Sequence, residues 1–350
     1  MMPSYTLRTG YMPVILAILA LAALACSGTK ELDSKNVTLL AHVNQYASTG
    51  YNDIWGYTAP DGREYALLGV KNGTSIIDIT DTDNPVEIVF IASTPSQWQD
   101  IKTYQSYAYA VNESGGGVHI IDLSALPNSA TLVATYTGFS TSHNLFIDEG
   151  NAIMYAAGSA SNPVRVLSLA DPENPVEIAT FGVECHDIYV QSNRAYISEG
   201  NQGSIGIYDV TSPSAPILLE QIHFPLAGYV HNAWLTEDGN YVMSTEETRG
   251  KTVKLWDIRD LGNISISDEY LGPNNLAHNG HIKGNYAYIS HYESGLRIVD
   301  LSDPTDIFEA GYYGTRNAWG AFPFLPSGNI LISDINDGLY IVKFKENGGS

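Results

Sequence analysis

The chain has 350 residues, and its 38 acidic residues against 17 lysines and arginines give a formal net charge of −21. This charge argues against a nucleic-acid-binding function, because such proteins neutralise phosphates with a basic surface. Its only two cysteines, Cys26 and Cys185, are too few for a disulfide framework, so stability must come from buried apolar surface.

The N-terminus predicts a signal peptide over residues 1–25. Arg8 precedes a long apolar run that ends directly on Cys26, and a basic residue followed by an apolar core is the pattern of an export signal. The junction resembles the lipobox of bacterial lipoproteins, although Ala23 replaces the usual leucine. The resemblance implies lipidation at Cys26, and Ser27 implies the outer membrane. The alternative is ordinary signal-peptidase cleavage without lipidation.

A four-part unit recurs seven times between Tyr51 and the C-terminus, with a period of about 45 residues. Each unit has a polar pair before a short apolar stretch, a run rich in Tyr and Ala, a β-branched run, and a fourth run after a proline turn. We call the four predicted strands A, B, C and D in chain order. Four short antiparallel strands per repeat are the signature of a propeller blade. The sequence therefore predicts an all-β, seven-bladed β-propeller.

The two ends of the repeat array predict how the ring closes. The seventh unit stops after strand C at Phe344, and an unassigned strand, Val37–His42, precedes the first unit. We expect this N-terminal strand to complete the last blade, which removes the open ends of the array. The predicted propeller spans residues 37–345, after a flexible tether over 26–36 and before a disordered tail over 346–350.

Two sequence features carry a family resemblance. Strand C sequences such as Leu296-Arg-Ile-Val-Asp-Leu301 resemble LVIVD repeats. The segments His42-Val-Asn-Gln-Tyr46 and Tyr51-Asn-Asp-Ile-Trp-Gly-Tyr57 resemble the choice-of-anchor B family of bacterial surface proteins. The resemblance implies a surface-exposed propeller and no established activity.

Two adjacent positions at the start of strand A carry the candidate functional residues. The second position is Asp or Asn in all seven blades, which favours an architectural role because these side chains bond nearby backbone groups and fix turns. The first position is histidine in four consecutive blades. Strand A is innermost, so these four rings are expected around one mouth of the central channel. The Asx residues are Asp53, Asp100, Asn144, Asp187, Asn232, Asn279 and Asn317, and the histidines are His143, His186, His231 and His278.

The end of strand B returns to the same face and adds further candidate ligands. Imidazoles with carboxylates are typical of Zn, Fe, Cu or Mn sites. The alternative is that the histidines brace the blades by pairing with strand C aspartates, although blades 1 and 2 have the aspartate without the histidine, and the sequence leaves both hypotheses open. These aspartates are Asp78, Asp122, Asp209, Asp257 and Asp300. We also expect aromatic residues near these ligands to form the walls of one pocket. The additional ligands are Glu199, Glu246, His291 and Asp334, with Glu113, Glu247 and His281 nearby; the aromatic residues are Tyr51, Trp55, Tyr229, Trp234, Tyr292 and Trp319.

Two functions are consistent with these features. The first is a cell-surface propeller that binds a surface protein, a glycan or a small molecule, held to the membrane only by its lipid anchor and expected to be monomeric. The second is a metal-dependent hydrolase or oxidoreductase with a histidine-rich centre at the channel mouth. Cys185 beside His186 suggests a nucleophile, but alternation along a strand favours a buried thiol.

Overall fold

The computed structural model describes residues 33–159 and 162–346, which form seven four-stranded antiparallel sheets around one axis. The predicted signal peptide, Cys26 and residues 347–350 lie outside the described residues. In each sheet strand A pairs with B, B with C and C with D. The predicted seven-bladed propeller is confirmed.

The strands follow the sequence repeats blade by blade. Strand A spans Tyr51–Thr58, Gln99–Tyr104, Asn144–Asp148, Asp187–Gln191, Val230–Leu235, Gly280–Lys283 and Ala318–Phe322 in blades 1 to 7. Strand B spans Glu64–Val70, Tyr107–Asn112, Ile153–Ser159, Arg194–Ser198, Tyr241–Glu246, Tyr286–Ser290 and Asn329–Asp334. Strand C spans Gly73–Asp78, Val118–Asp122, Asn162–Ser168, Ser204–Asp209, Val253–Asp257, Leu296–Asp300 and Gly338–Phe344. Strand D spans Val86–Ala92, Thr131–Tyr136, Val176–Phe181, Ile217–His223, Ser265–Tyr270, Phe308–Tyr313 and Val37–Val43. Within the described ranges, short 3₁₀ helices span Leu261–Asn263 and Pro273–Asn275.

The ring closes through its N-terminal strand. Val37–Val43 pairs antiparallel with Gly338–Phe344, from Val37 opposite Phe344 to Val43 opposite Leu339. The predicted closure is therefore confirmed. Ser34–Lys35, which the sequence assigned to the tether, forms a further two-residue strand on the outer edge of blade 6.

The apolar core lies between neighbouring blades because both faces of strands B and C are covered. Every residue of Glu64–Val70 is buried. A tyrosine recurs at the same position of strand B in blades 2, 3 and 4, and Tyr109, Tyr155 and Tyr196 are each at most 1% exposed. In the described part of the chain, seven apolar clusters of buried residues hold the blades together.

Each blade carries a β-bulge between strands C and D. It lies between Ile76 and Ile77 in blade 1, and between Leu39 and Ala41 in the closing strand. A bulge increases the local twist and makes the outer edge a poor template for further pairing. The closing strand shares this irregularity with the six other D strands, so it behaves as an ordinary fourth strand.

Among the described residues, the structure contains no helix with the length and hydropathy needed to cross a bilayer.

We expect closure to dominate thermal stability. A protein that begins at Asn44 lacks the closing strand and leaves the buried strand Gly338–Phe344 without a partner. Its melting temperature should fall by more than about 10 °C, with aggregation through the free edge. Thermal melts and size-exclusion chromatography measure both effects.

A protein that begins at Asn36 is the control, since it loses only Ser34–Lys35 and should melt within about 3 °C of the longer protein. Equal melting temperatures for all three proteins would contradict the role assigned to closure.

Candidate metal centre

The four histidines that precede the Asx residues lie side by side around one mouth of the channel. We call His143, His186, His231 and His278 the histidine arc, and the face of the propeller that carries them the histidine face. Successive ring centroids are 4.3, 4.1 and 4.1 Å apart. The arc continues into Trp319, whose ring lies 3.8 Å from His278. The expected convergence of the four rings at one channel mouth is therefore observed.

Backbone bonds fix where these histidines lie. The amides of His143, His186 and His278 donate to strand B carbonyls of their own blades, at 3.0, 2.8 and 3.0 Å. His231 differs because the pairing of strands A and B shifts register between Val230 and Asn232. His231 is thus the extra residue of a β-bulge, a feature that re-aims a side chain.

Two of the histidines bridge to the next blade through one ring nitrogen. His186 Nδ1 lies 3.0 Å from the carbonyl oxygen of His231, and His278 Nδ1 lies 2.6 Å from that of Trp319. A carbonyl can only accept, so each Nδ1 carries the proton and donates. In the neutral rings Nε2 then keeps its lone pair.

The His231 ring also interacts with the backbone of His278 in the next blade, but no hydrogen bond of normal geometry joins them. The carbonyl of His278, which faces it, accepts from Thr245 Oγ1 at 2.6 Å. Nδ1 of His231 is buried without a hydrogen-bond partner in the described part of the chain. Nε2 of His231 lies 3.7 Å from Glu247 Oε2. This imidazole therefore faces a carboxylate with its Nε2.

Three of these residues form a compact donor set, which we call the His231–Glu247–His278 cluster. One ligand atom from each residue lies within 4.8 Å of the other two. His231 and His278 are 2% and 1% exposed, whereas Glu247 is half-buried. Nε2 of His278 is buried and has no hydrogen-bond partner among the described residues. The Tyr292 hydroxyl donates to Glu247 Oε1, which orients this carboxylate.

Burial sets the protonation of the cluster. Desolvation lowers the pKa of His278 to about 3 and holds that of His231 well below its usual value. Desolvation also raises the pKa of Glu247. Tyr292 has a raised pKa, because burial and the nearby Glu247 carboxylate disfavour the phenolate. The imidazoles are therefore neutral at physiological pH, the state in which they bind metals.

The remaining acidic candidates of strand B bond within their own blades. Glu199 accepts from Ser204 and Gln221, each at 2.6 Å. Glu246 pairs with the ammonium of Lys254 at 2.5 Å.

Two further candidate ligands also lie outside the cluster. Asp334 accepts backbone amides, including that of Asn336 at 2.9 Å. His291 is buried with a pKa lowered to about 4. His143 Nδ1 lies 2.6 Å from Glu113 Oε1, at the other end of the arc.

The Asx residues connect neighbouring blades, which extends the architectural role expected for them. In three blades the side chain accepts the backbone N–H of the residue that follows the Asx residue of the next blade. Each such buried bond contributes about 1 kcal/mol, and more where the acceptor is charged. The pairs are Ile101 N to Asp53 Oδ2 at 3.1 Å, Leu145 N to Asp100 Oδ2 at 2.8 Å, and Gly280 N to Asn232 Oδ1 at 3.1 Å.

The strand C aspartates do not pair with the histidine arc. In the blades that carry His186, His231 and His278, the strand C aspartate accepts the amide of the residue two positions later. These aspartates are Asp209, Asp257 and Asp300, at 2.8, 3.1 and 2.9 Å. They form turns that lead to strand D. Blade bracing by histidine–aspartate pairs is therefore wrong for these residues, and bracing runs through backbone carbonyls instead.

The predicted aromatic pocket is divided between different places. Tyr229, Tyr292 and Trp319 lie beside the histidine arc. Trp55 and Trp234 instead contact His281, whose Asx-plus-two position turns it away from the cluster. Tyr51 belongs to the apolar core, and Cys185 is buried with a raised pKa, as expected for an inert thiol.

Comparison with known families identifies one of the repeats. A family model for the LVIVD repeat matches residues 277–315, which include His278, His291 and all four main strands of blade 6. Blade 6 is an LVIVD repeat. A comparison with curated proteins finds no match.

The buried imidazoles predict acid sensitivity. His278 has a folded pKa of about 3 against about 6.5 when unfolded, so the unfolded chain binds more protons between these values. The folded state therefore loses about 2 kcal/mol through His278 alone between pH 7 and pH 5. Replacing His278→Gln should remove this part of the loss, measured by urea denaturation at both pH values with a chelator present.

The control is His223→Gln, because His223 is exposed on strand D. Its loss of stability on acidification should equal that of the unsubstituted protein. The same loss in the His278→Gln variant would contradict the burial of a neutral ring.

Proposed function

We propose that this protein is an exported surface propeller that binds one transition-metal ion at the His231–Glu247–His278 cluster and uses it to hold a ligand. The observation that carries the proposal is the donor set itself, with its atoms within 4.8 Å of one another. Two imidazoles and one carboxylate suit zinc, and also ferrous iron where coordination positions stay open.

The chemistry of the surrounding groups supports a metal. The bond from His278 Nδ1 to the Trp319 carbonyl holds the ring with Nε2 available as a ligand atom. Tyr292 supports Glu247 in the way that outer hydroxyls support ligating carboxylates. An ion would also satisfy the buried Nε2 of His278, which otherwise bears a desolvation cost.

Binding is the function supported best, and metal-dependent hydrolysis is a second candidate. Three protein ligands with an open position are typical of catalytic zinc sites. The exposed side of Glu247 gives a ligand or water access to the cluster. Hydrolysis would additionally require turnover by the metal-loaded protein.

Metal analysis tests the proposal. The purified protein, loaded with zinc or ferrous iron and desalted, should retain about one equivalent, and the metal should raise its melting temperature.

Glu247→Gln should lower metal affinity by at least about tenfold. His231→Ala should abolish retention with little loss of stability, because Nδ1 of His231 has no hydrogen-bond partner of normal geometry among the described residues. Elemental analysis and thermal melts provide the measurements.

The matched control is His223→Ala, which removes an exposed histidine outside the arc and should leave metal content unchanged. Retention of less than about a tenth of an equivalent of any transition metal, with no rise in melting temperature, would refute the proposal. Strong destabilisation by His231→Ala without loss of metal would assign His231 to bracing.

We further propose that Cys26 carries the lipid anchor and holds the propeller at the outer membrane. The support is the apolar run that ends on this cysteine. In a diderm bacterial host, Cys26→Ser should move the protein from the membrane fraction to the soluble periplasmic or extracellular fraction, because stable anchoring requires the acyl chains. Fractionation and mass spectrometry of the mature N-terminus measure the change.

Cys185→Ser is the control, since Cys185 is buried inside the propeller. A Cys26→Ser protein that stays fully in the membrane fraction, or an unmodified N-terminus in the original protein, would rule out lipid anchoring.

A further inference from the structure

The channel mouth opposite the histidine face carries a ring of aromatic side chains that the metal proposal does not use. The residue two positions after the Asx residue is aromatic or long in all seven blades, and in blades 1 to 6 it lies at this mouth. In blade 7 a register shift between Ala318 and Gly320 leaves the corresponding residue, Trp319, beside the histidine arc. Two phenylalanines of blade 7 complete the ring. We call the following residues the aromatic collar: Trp55, Lys102, Phe146, Tyr189, Trp234, His281, Phe322 and Phe324.

The rings of the collar follow one another around the mouth. Phe146 contacts Tyr189 at 5.2 Å between centroids, and Tyr189 contacts Trp234 at 4.2 Å. Trp234 continues to Phe324 at 5.6 Å. Phe322 contacts Trp55 at 4.8 Å on the other side. These residues line a cavity of about 400 Å³, which lies in the size range of small-molecule sites.

Three polar groups of the collar are already paired inside the protein, whereas Nδ1 of His281 is buried without a partner among the described residues. The Trp55 indole donates to Thr103 Oγ1 at 3.2 Å, and the Tyr189 hydroxyl donates to Gln191 Oε1 at 2.6 Å. The Lys102 ammonium binds Asp100 at 2.5 Å. Few of these groups remain for the many hydroxyls of a sugar, which need hydrogen-bond partners when they are buried.

Two carboxylates stand at the edge of the same cavity, and one of them is unpaired. Asp148 bonds to the Asn151 side chain at 2.8 Å. The Glu149 carboxylate has neither a hydrogen-bond donor nor a cation among the described residues. Desolvation by the surrounding protein raises the pKa of Glu149, as expected for a carboxylate that lacks a compensating charge.

The collar already accommodates one cation. Lys102 Nζ lies 4.5 Å from the centroid of the Trp55 ring, a cation–π contact. Aromatic faces are electron-rich, and several rings around one cavity are the usual recognition site for ammonium groups. The net charge of −21 adds a long-range attraction for cations.

We propose that the aromatic collar binds a small organic cation, a primary or quaternary ammonium compound. Its charged group lies against the ring faces and pairs with Glu149. The site lies on the opposite face from the His231–Glu247–His278 cluster and needs no metal.

Fluorescence titration with choline tests this proposal, because Trp55 and Trp234 report occupancy. The mature propeller is titrated in the presence of a chelator, which separates this site from the metal centre. We expect saturable quenching by choline, and dissociation constants at least about fivefold weaker for its uncharged isostere 3,3-dimethylbutan-1-ol. Glu149→Gln should weaken choline binding about fivefold, and Trp234→Ala should abolish it.

Glu269→Gln is the matched control, since Glu269 is an exposed carboxylate on the outer strand of blade 5, and it should bind choline like the unsubstituted protein. Glu149 is a surface residue, so its variant tests the site even if Trp234→Ala fails to fold.

Three results would overturn the proposal. They are equal binding of choline and its uncharged isostere, an unchanged affinity in the Glu149→Gln variant, and the absence of saturable choline binding up to about 50 mM, far above typical ligand affinities. Saturable binding of methyl glucoside without choline binding would assign the collar to sugars and would also refute it.

Discussion

The structure depends on one geometric constraint: seven innermost strands must share a single axis. Residues about 45 positions apart in the chain thereby become neighbours, and any residue type that recurs at one position of strand A becomes a ring of side chains. The blades are joined at this axis by Asx side chains that accept a backbone amide from the next blade. These acceptors are buried, so each would carry a desolvation cost if it had no donor. The hydrogen bond removes this cost and links two neighbouring blades in a fixed direction.

The two hypotheses for the histidines are compatible because imidazole has two nitrogens. His278 braces the ring through Nδ1, and the same bond leaves Nε2 available as a ligand atom. His231 lies in a β-bulge and makes no bracing hydrogen bond of normal geometry among the described residues, and its ring faces Glu247. The framework therefore holds His278 rigidly, while the irregular position contributes the second imidazole. Preorganisation of this kind lowers the entropic cost of binding.

The repeated features of the fold were predictable from the sequence, and the irregular ones were not. The missing fourth strand of the last unit identified the pairing of Val37–Val43 with Gly338–Phe344, because an unpaired edge has one obvious partner. The sequence could not predict whether Glu246 or Glu247 approaches the histidines. Glu246, the last residue of strand B, pairs with Lys254 inside the blade, and Glu247, the next residue, faces His231.

The orientation of His231 likewise depends on a local register shift between strands A and B. No residue type in the sequence predicts such a shift. Alternation explains the position of His281 only once strand A is known to start at Gly280, and its expected place beside the other ligands was wrong. The sequence therefore predicted that the four strand A histidines converge, and it could not predict which further residues join them.

The order in which the N-terminal residues join the ring has a mechanical consequence. The described chain begins beside blade 6, where Ser34 and Lys35 pair with Tyr313 and Tyr312, and only then enters the closing strand. A pulling force applied from the N-terminal side thus reaches this two-residue pairing first. Its separation releases about 7 Å of chain while the ring stays closed. The pairing of Ser34–Lys35 at the outer edge of blade 6 therefore breaks before the force reaches the closing strand Val37–Val43.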